Sequence, residues 1–127
     1  MAEFFGKYRA TVVDIADPTK SGKIKVQCPK VIGDGKSGWA LPCLPFANDT
    51  GGTLFMPKVG DLVWVEFEEG DANKPIWVGS FWKDGKNPVT TLTDRLIILD
   101  EAGSYIKTEE DGTLTIHATH VIIDADR

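Results

Sequence analysis

Between Pro57 and Trp82 the sequence PKVGDLVWVEFEEGDANKPIWVGSFW narrows the choice of fold more than any other stretch. Val63, Val65 and Phe67 alternate with Leu62, Trp64 and Glu66, the two-residue period of a strand. The cluster Glu69-Gly70-Asp71-Ala72-Asn73 that follows suits the positive φ angles of a tight connection. Pro75 then opens a second strand, Ile76 to Phe81, and Gly79 inside it predicts a bulge or a close backbone approach. A hairpin alone says nothing of function. This one adds Pro-x-x-Gly-Asp ahead of its first strand, a Gly-Asp turn, and a return strand led by proline and ending in glycine.

The residues before it also read as strands. Phe5 to Ile15 predicts a long strand with Tyr8, Ala10, Val12 and Asp14 on one side and Arg9, Thr11 and Val13 on the other. Asp17-Pro18-Thr19-Lys20-Ser21-Gly22 has the chemistry of a turn, because proline presets φ and glycine permits a left-handed exit. Lys23 to Cys28 alternates strictly, with Ile24, Val26 and Cys28 inward, and Pro29 stops it. Val31 to Gly38 predicts a loop, Gly38 to Pro42 a third short strand, and Asn48 to Thr53 a turn feeding Leu54-Phe55-Met56. No amphipathic helix is expected. The connection WKDGKNP ending at Pro88 marks a boundary, so residues 1–88 are expected to form one domain and 89–127 another segment. About five strands with a long first strand and a closing hairpin suit a small closed barrel of the OB type. An SH3-like barrel fits the strand count nearly as well.

Beyond the boundary the pattern changes. Arg95 to Asp100, Ser104 to Thr108, Thr113 to Ala118 and Val121 to Asp124 predict short strands separated by Glu-Ala-Gly and Glu-Asp-Gly turns. Apolar residues at alternate places resemble a β-helix or β-prism segment, and so short a segment cannot bury them alone. Packing against copies around a symmetry axis solves this, so a homotrimer is expected, with Leu96, Ile98, Ile106, Leu114, Ile116, Ala118 and Ile122 at the subunit contact. The fold class expected is therefore all-β: an OB-type Greek-key barrel followed by a short β-helical spike segment.

Composition removes several functions. A net charge of −5 argues against nucleic acid or an anionic membrane as the main ligand, since both need a basic surface. Cys28 and Cys43 are too few for a disulfide framework; a single bridge stays open, but buried free thiols fit their apolar surroundings better. No apolar run reaches the length of a membrane span, and MAEFFGKYR lacks a signal-peptide core, so the chain is expected to be made in the cytoplasm without a signal peptide.

Residues 22 to 82 resemble the OB-fold domain shared by phage baseplate assembly protein V, the hub spikes of contractile phage tails and the VgrG spikes of type VI secretion. The resemblance is carried by Gly22-Lys23-Ile24-Lys25-Val26 with Pro29; by Gly38-Trp39; by Phe55-Met56-Pro57-Lys58-Val59-Gly60-Asp61; and by Val63, Val65 and Phe67. Gly70-Asp71 and Pro75-Ile76-Trp77-Val78-Gly79 complete it. The segment after Arg95 is similar to the first β-helical turns that follow the barrel in these spikes. Such a resemblance implies a structural trimer on the axis of a contractile injection machine. Its barrels would join tube or hub proteins to a needle that makes transient contact with the target cell envelope. The needle region is short for the family, which implies that either a separate, PAAR-like tip protein completes the point or a lysozyme-like or longer β-helical part lies beyond these residues. The resemblance thus implies assembly into a virion baseplate or a related injection particle.

Candidate chemistry is sparse. His117 and His120 are the metal-ligand candidates, because some spikes of this family hold iron near the tip through a histidine pair. A spacing of three puts them on opposite sides of a regular strand, so no cofactor is expected. Glu66, Glu68, Glu69 and Asp71 lie on a solvated face rather than around a buried acid, and Asp61 is expected to hold the start of its strand by bonding backbone amides. No serine or cysteine has an evident base, which argues against an enzyme. Gly35-Lys36-Ser37 lacks the rest of a phosphate loop. Trp39, Trp64, Trp77 and Trp82 could stack bases, which leaves an OB-fold binding module for single-stranded nucleic acid or saccharide as the alternative; Trp39 and Trp77 fit core or subunit contacts better.

Overall fold

The computed structural model describes residues 3–88, 95–98 and 103–126. Contacts divide the chain into two compact units, Met1–Lys86 and Asn87–Arg127.

In unit 1 the alternating sequence patterns become strands, as expected. They are β1 (Tyr8–Asp14), β2 (Lys25–Gln27), β3 (Leu41–Pro42), β4 (Ala47–Asn48), β5 (Gly51–Gly52), β6 (Leu62–Phe67) and β7 (Pro75–Ser80). Five of them form one sheet in the order β2-β1-β6-β7-β3, antiparallel except for the β3–β7 pair. Its two edges meet: Ile24 N–H donates to the Ala40 carbonyl at 3.2 Å and Ala40 N–H to that of Ile24 at 2.7 Å. Five strands, one parallel pair and closure through a short bridge make a partly open OB-type barrel. Strand count left an SH3-like barrel open; strand order and this bridge select the OB type.

Inside lie Val12, Ile24, Val26, Cys28, Ala40, Val63 and Val65, all at 0 % exposure, with Ala10, Phe67 and Trp77 nearly as buried. Each buried Val or Ile contributes about 1.5–3 kcal/mol of apolar transfer. One end of the barrel is plugged by Phe4, Tyr8 and Phe67, whose ring centroids lie 5.7–6.3 Å apart. Gly6, at φ +89°, ends the extended run, so the first strand begins at Tyr8 rather than Phe5. The bulge expected at Gly79 is present: Trp64 pairs with Gly79 but Val65 with Trp77, leaving Val78 as the extra residue.

Three local details differ from expectation. Pro29–Ile32 forms a single helical turn, α1, with Pro29 at its first position, where its missing N–H costs nothing. Leu54, Phe55 and Met56 form no strand and are exposed. Of the two thiols, Cys28 is buried but Cys43 is exposed, because Cys43 lies just past the short β3 strand; both are free.

Unit 2 is an antiparallel meander of β8 (Arg95–Ile98), β9 (Tyr105–Thr108) and β10 (Leu114–His117), in the order β10-β9-β8. Residues 121–126 follow with no assigned strand. The strand expected over Val121 to Asp124 has no laddered neighbour among the described residues, and a strand needs one. The expected segment Arg95–Asp100 extends in part outside the described residues.

Candidate functional site

Several of the motif positions that carry the resemblance shape the backbone. Gly22 is buried at φ +77°, and a Cβ there would meet Leu54 Cδ1 at 3.2 Å and Pro42 Cγ at 3.3 Å. Pro57 and Pro75 are buried. Gly60, at φ +97°, donates its N–H to the Val12 carbonyl at 2.8 Å, while Val12 N–H donates to the Asp61 carbonyl at 2.9 Å. Asp61 Oδ2 in turn accepts the Lys58 N–H at 2.8 Å, the strand-holding role expected of it. Gly70 sits at φ +80° with its carbonyl accepting the Phe4 N–H at 2.9 Å; a Cβ would come within 2.9 Å of Phe5 Cζ. Asp71 Oδ1 accepts the Asn73 N–H, closing the turn into β7. Trp39 is half-buried beneath Lys25, whose Nζ lies 4.9 Å from the ring centroid.

Several of the side chains that could do chemistry make structural contacts. Ser37 of Gly-Lys-Ser is buried; its Oγ accepts the Val26 N–H at 2.9 Å and donates to the Gly38 carbonyl at 2.7 Å, which stitches a loop to β2. Glu66 pairs with Lys7 at 3.2 Å on the outer face, an exposed ion pair worth under about 1 kcal/mol. Glu68, Glu69 and Asp71 are exposed in the turn. His117 stacks on Tyr105 with ring centroids 4.9 Å apart, while His120 lies past the end of β10, so strand parity does not govern it. Among the described residues no group of three or more His, Cys, Asp or Glu side chains could hold a metal.

Two surfaces stand out instead. On the barrel, Arg9 lies over Trp64 (5.4 Å) and Phe81 (5.1 Å), whose rings are 4.5 Å apart. Beside them a cleft of about 710 Å³ is lined by Asp61, Leu62, Phe81, Trp82, Lys83 and Lys86. In unit 2, the register places Ile97 opposite Ile106 and Ile106 opposite Ile116. Directly paired residues share a face, so the three isoleucines form a row across the meander. Ile98 pairs with Tyr105, and Tyr105 with His117, on the other face. Of the residues expected at a subunit contact, Ile106, Leu114 and Ile116 therefore share one face, together with Ile97, and Ile98 lies on the opposite one; the side chain of Leu96 lies outside the described residues. The run Leu-Ile-Ile-Leu offers apolar residues to both faces, so alternation could not choose between them. Ala118 and Ile122 lie past β10, Ile122 at 85 % exposure.

A scan against protein families matches residues 8–82 to the type VI secretion system/phage-baseplate injector OB domain. The chain belongs to this family. The match spans well over half the chain and begins with β1, so the injector OB domain takes in the strand that the sequence motif left out. A comparison with curated proteins finds no significant match. The injector OB domain is a structural baseplate domain, which agrees with motif residues that serve turns and bulges. Among the described residues no helix is long and apolar enough to cross a membrane.

Charge refines the picture. Met1–Lys86 holds eleven acidic and eleven basic residues, whereas Asn87–Arg127 holds eight acidic and three basic ones. The whole net charge of −5 thus belongs to unit 2 and the barrel is neutral, so overall charge does not weigh against an anionic ligand at the barrel.

Proposed function

We propose that the chain is a structural protein of the baseplate or central spike of a contractile injection machine, three copies standing about one axis. The barrel end joins hub or tube proteins, and the C-terminal strands form the base of a needle completed by a PAAR-like tip protein. On this reading the chain is made in the cytoplasm, assembled into the particle and touches the target envelope only during injection; it catalyses no reaction.

The observation that carries this is the row Ile97–Ile106–Ile116, with Ile97 at 50 % and Ile116 at 59 % exposure in one chain. Burying the exposed half of such a side chain is worth about 1 kcal/mol, so nine of them supply on the order of 10 kcal/mol. Association costs about 4–15 kcal/mol or more, so Leu114 and the exposed Val121-Ile122-Ile123 must join the contact. An axial, β-helix-like packing of three meanders achieves this. Light scattering on the purified chain tests it: three copies per particle are expected. A monomer at micromolar concentration, with residues 105–123 protected from proteolysis, would overturn it.

A second reading has one observation in its favour. The neutral barrel carries the Arg9–Trp64–Phe81 stack and a lysine-flanked cleft, which suits a module for single strands or saccharides. Salt-dependent retardation of labelled single-stranded DNA by the chain would favour it over the spike.

A further inference from the structure

The geometry points to a saccharide subsite on the outside of the barrel, built around Trp39 where the two sheet edges close. It rests on the reading of the barrel as a binding module, narrows that module's ligand to a sugar ring, and places it away from the cleft beside Arg9. Strand register fixes the position. Ile24 and Ala40 bridge antiparallel, and both are at 0 % exposure. Side chains alternate along an extended chain, so Lys23, Lys25, Trp39 and Leu41 stand on the outer side. The same register sets Lys25 opposite Trp39 and Lys23 opposite Leu41, and the Lys25 Nζ lies 4.9 Å from the Trp39 ring centroid.

The turn between β6 and β7 supplies the other wall. Glu68 N–H donates to the Lys74 carbonyl at 2.9 Å, Lys74 N–H to that of Asp71 at 2.9 Å, and Asp71 N–H to that of Glu68 at 3.0 Å. These bonds fix the turn. They bring Glu68, Asn73 and Lys74 to the rim of the pocket that Lys23, Trp39 and Leu41 also line, a space of about 250 Å³.

The lining selects the ligand. Glu68 accepts hydrogen bonds, Lys23 and Lys74 donate them, and the Asn73 amide does both. A sugar hydroxyl also does both, so a polyhydroxylated ring satisfies the whole set. The indole offers a negative face, which attracts the C–H side of a sugar ring as it attracts the Lys25 ammonium. The pocket has the volume of about eight waters, room for one ring and not for successive nucleotides, whose phosphates would also be repelled by the Glu68 carboxylate. Three lysines, at 23, 25 and 74, stand against that one carboxylate. A ring that carries a carboxylate of its own, a hexuronate, is therefore the favoured occupant.

The test titrates the full chain with glucuronate and follows the indole N–H resonances of its four tryptophans by NMR. The Trp39 resonance is expected to shift and saturate with a Kd on the order of 1 mM, while that of Trp77, buried in the core, stays in place. Glucose, which lacks the carboxylate, is expected to bind roughly fivefold more weakly. The double variant Asn73→Ala with Lys74→Ala is expected to weaken glucuronate binding by roughly fivefold or more, and an unmoved Trp77 resonance reports that its barrel is intact. Unchanged binding in that variant, or an equal shift with sodium acetate, would overturn the inference. Tighter binding of adenosine monophosphate at Trp39 would overturn the choice of a sugar. Glucuronate that moves Trp64 or Trp82 but not Trp39 would overturn the site and leave the binding-module reading standing; no movement with either ligand overturns both.

Discussion

The indole Nε1–H of Trp77 donates a 3.0 Å hydrogen bond to the carbonyl oxygen of Gly22, fastening the last barrel strand to the turn that leads into β2. Two motif positions distant in sequence thus form one joint. It explains why glycine stands at 22: the backbone is left-handed, and Leu54 and Pro42 press against the missing Cβ.

Both sides of this joint can be tested. Trp77→Phe leaves the Gly22 carbonyl without its partner and is expected to cost about 1–3 kcal/mol for that bond, with some further loss of packing. Gly22→Ala meets a left-handed φ and two close contacts and is expected to cost about 1–3 kcal/mol. Urea unfolding followed by tryptophan fluorescence measures both; an unchanged midpoint for Gly22→Ala would show that the turn relaxes freely.

Ser37→Ala is expected to destabilise the barrel by about 1–3 kcal/mol, since the Val26 N–H loses its buried acceptor. Nearby Lys36→Ala, exposed on the same loop, is expected to change stability by less than about 0.5 kcal/mol. Denaturant midpoints for the pair separate a structural stitch from a phosphate loop, in which the lysine would matter more.

Asp17 makes the fold acid-sensitive. Partial desolvation pushes its carboxyl up, but hydrogen bonds from Thr19 Oγ1 and from the backbone N–H groups of Ser21, Thr19 and Lys23 outweigh this and hold it at about 2, against an ordinary 3.8. The folded-state value lies below the unfolded one, so its contribution is complete above about pH 4 and is lost as pH falls toward 2. Thermal melts of Asp17→Asn are expected to show a lower melting temperature at neutral pH and a shallower decline between pH 4 and 2. A parallel decline in both proteins would show that Asp17 contributes nothing to it.

Ile116→Asp puts a charge at the end of the isoleucine row and is expected to reduce the particle to single chains while the barrel keeps its melting transition. Ile98→Asp lies on the other face, beside Tyr105 and His117, and is expected to leave the assembly in place. Sedimentation of the two variants distinguishes the faces, and equal loss in both would mean that the meander does not present one face to the axis.

Much of the barrel is legible in its sequence because alternation, turn glycines and strand-leading prolines act locally. The period of Lys23 to Cys28 places Ile24, Val26 and Cys28 inside whatever their neighbours are, and all three are buried. Gly70-Asp71 and Gly79 announce a turn and a bulge through backbone rules alone. The helical turn at Pro29–Ile32 escaped because four residues are too few to show a period.

What tertiary structure alone decided is long-range pairing. Nothing local to Ile24 or Ala40 reveals that they bridge the two sheet edges, or that Phe4 would settle under Gly70 as a plug. In Leu96-Ile97-Ile98-Leu99 every residue is apolar, so one register is as greasy as the next, and only pairing with Tyr105 and Ile106 separates Ile98 from Ile97. Alternation tells a strand which side is wet; where both sides are apolar, the neighbouring strand has to say so.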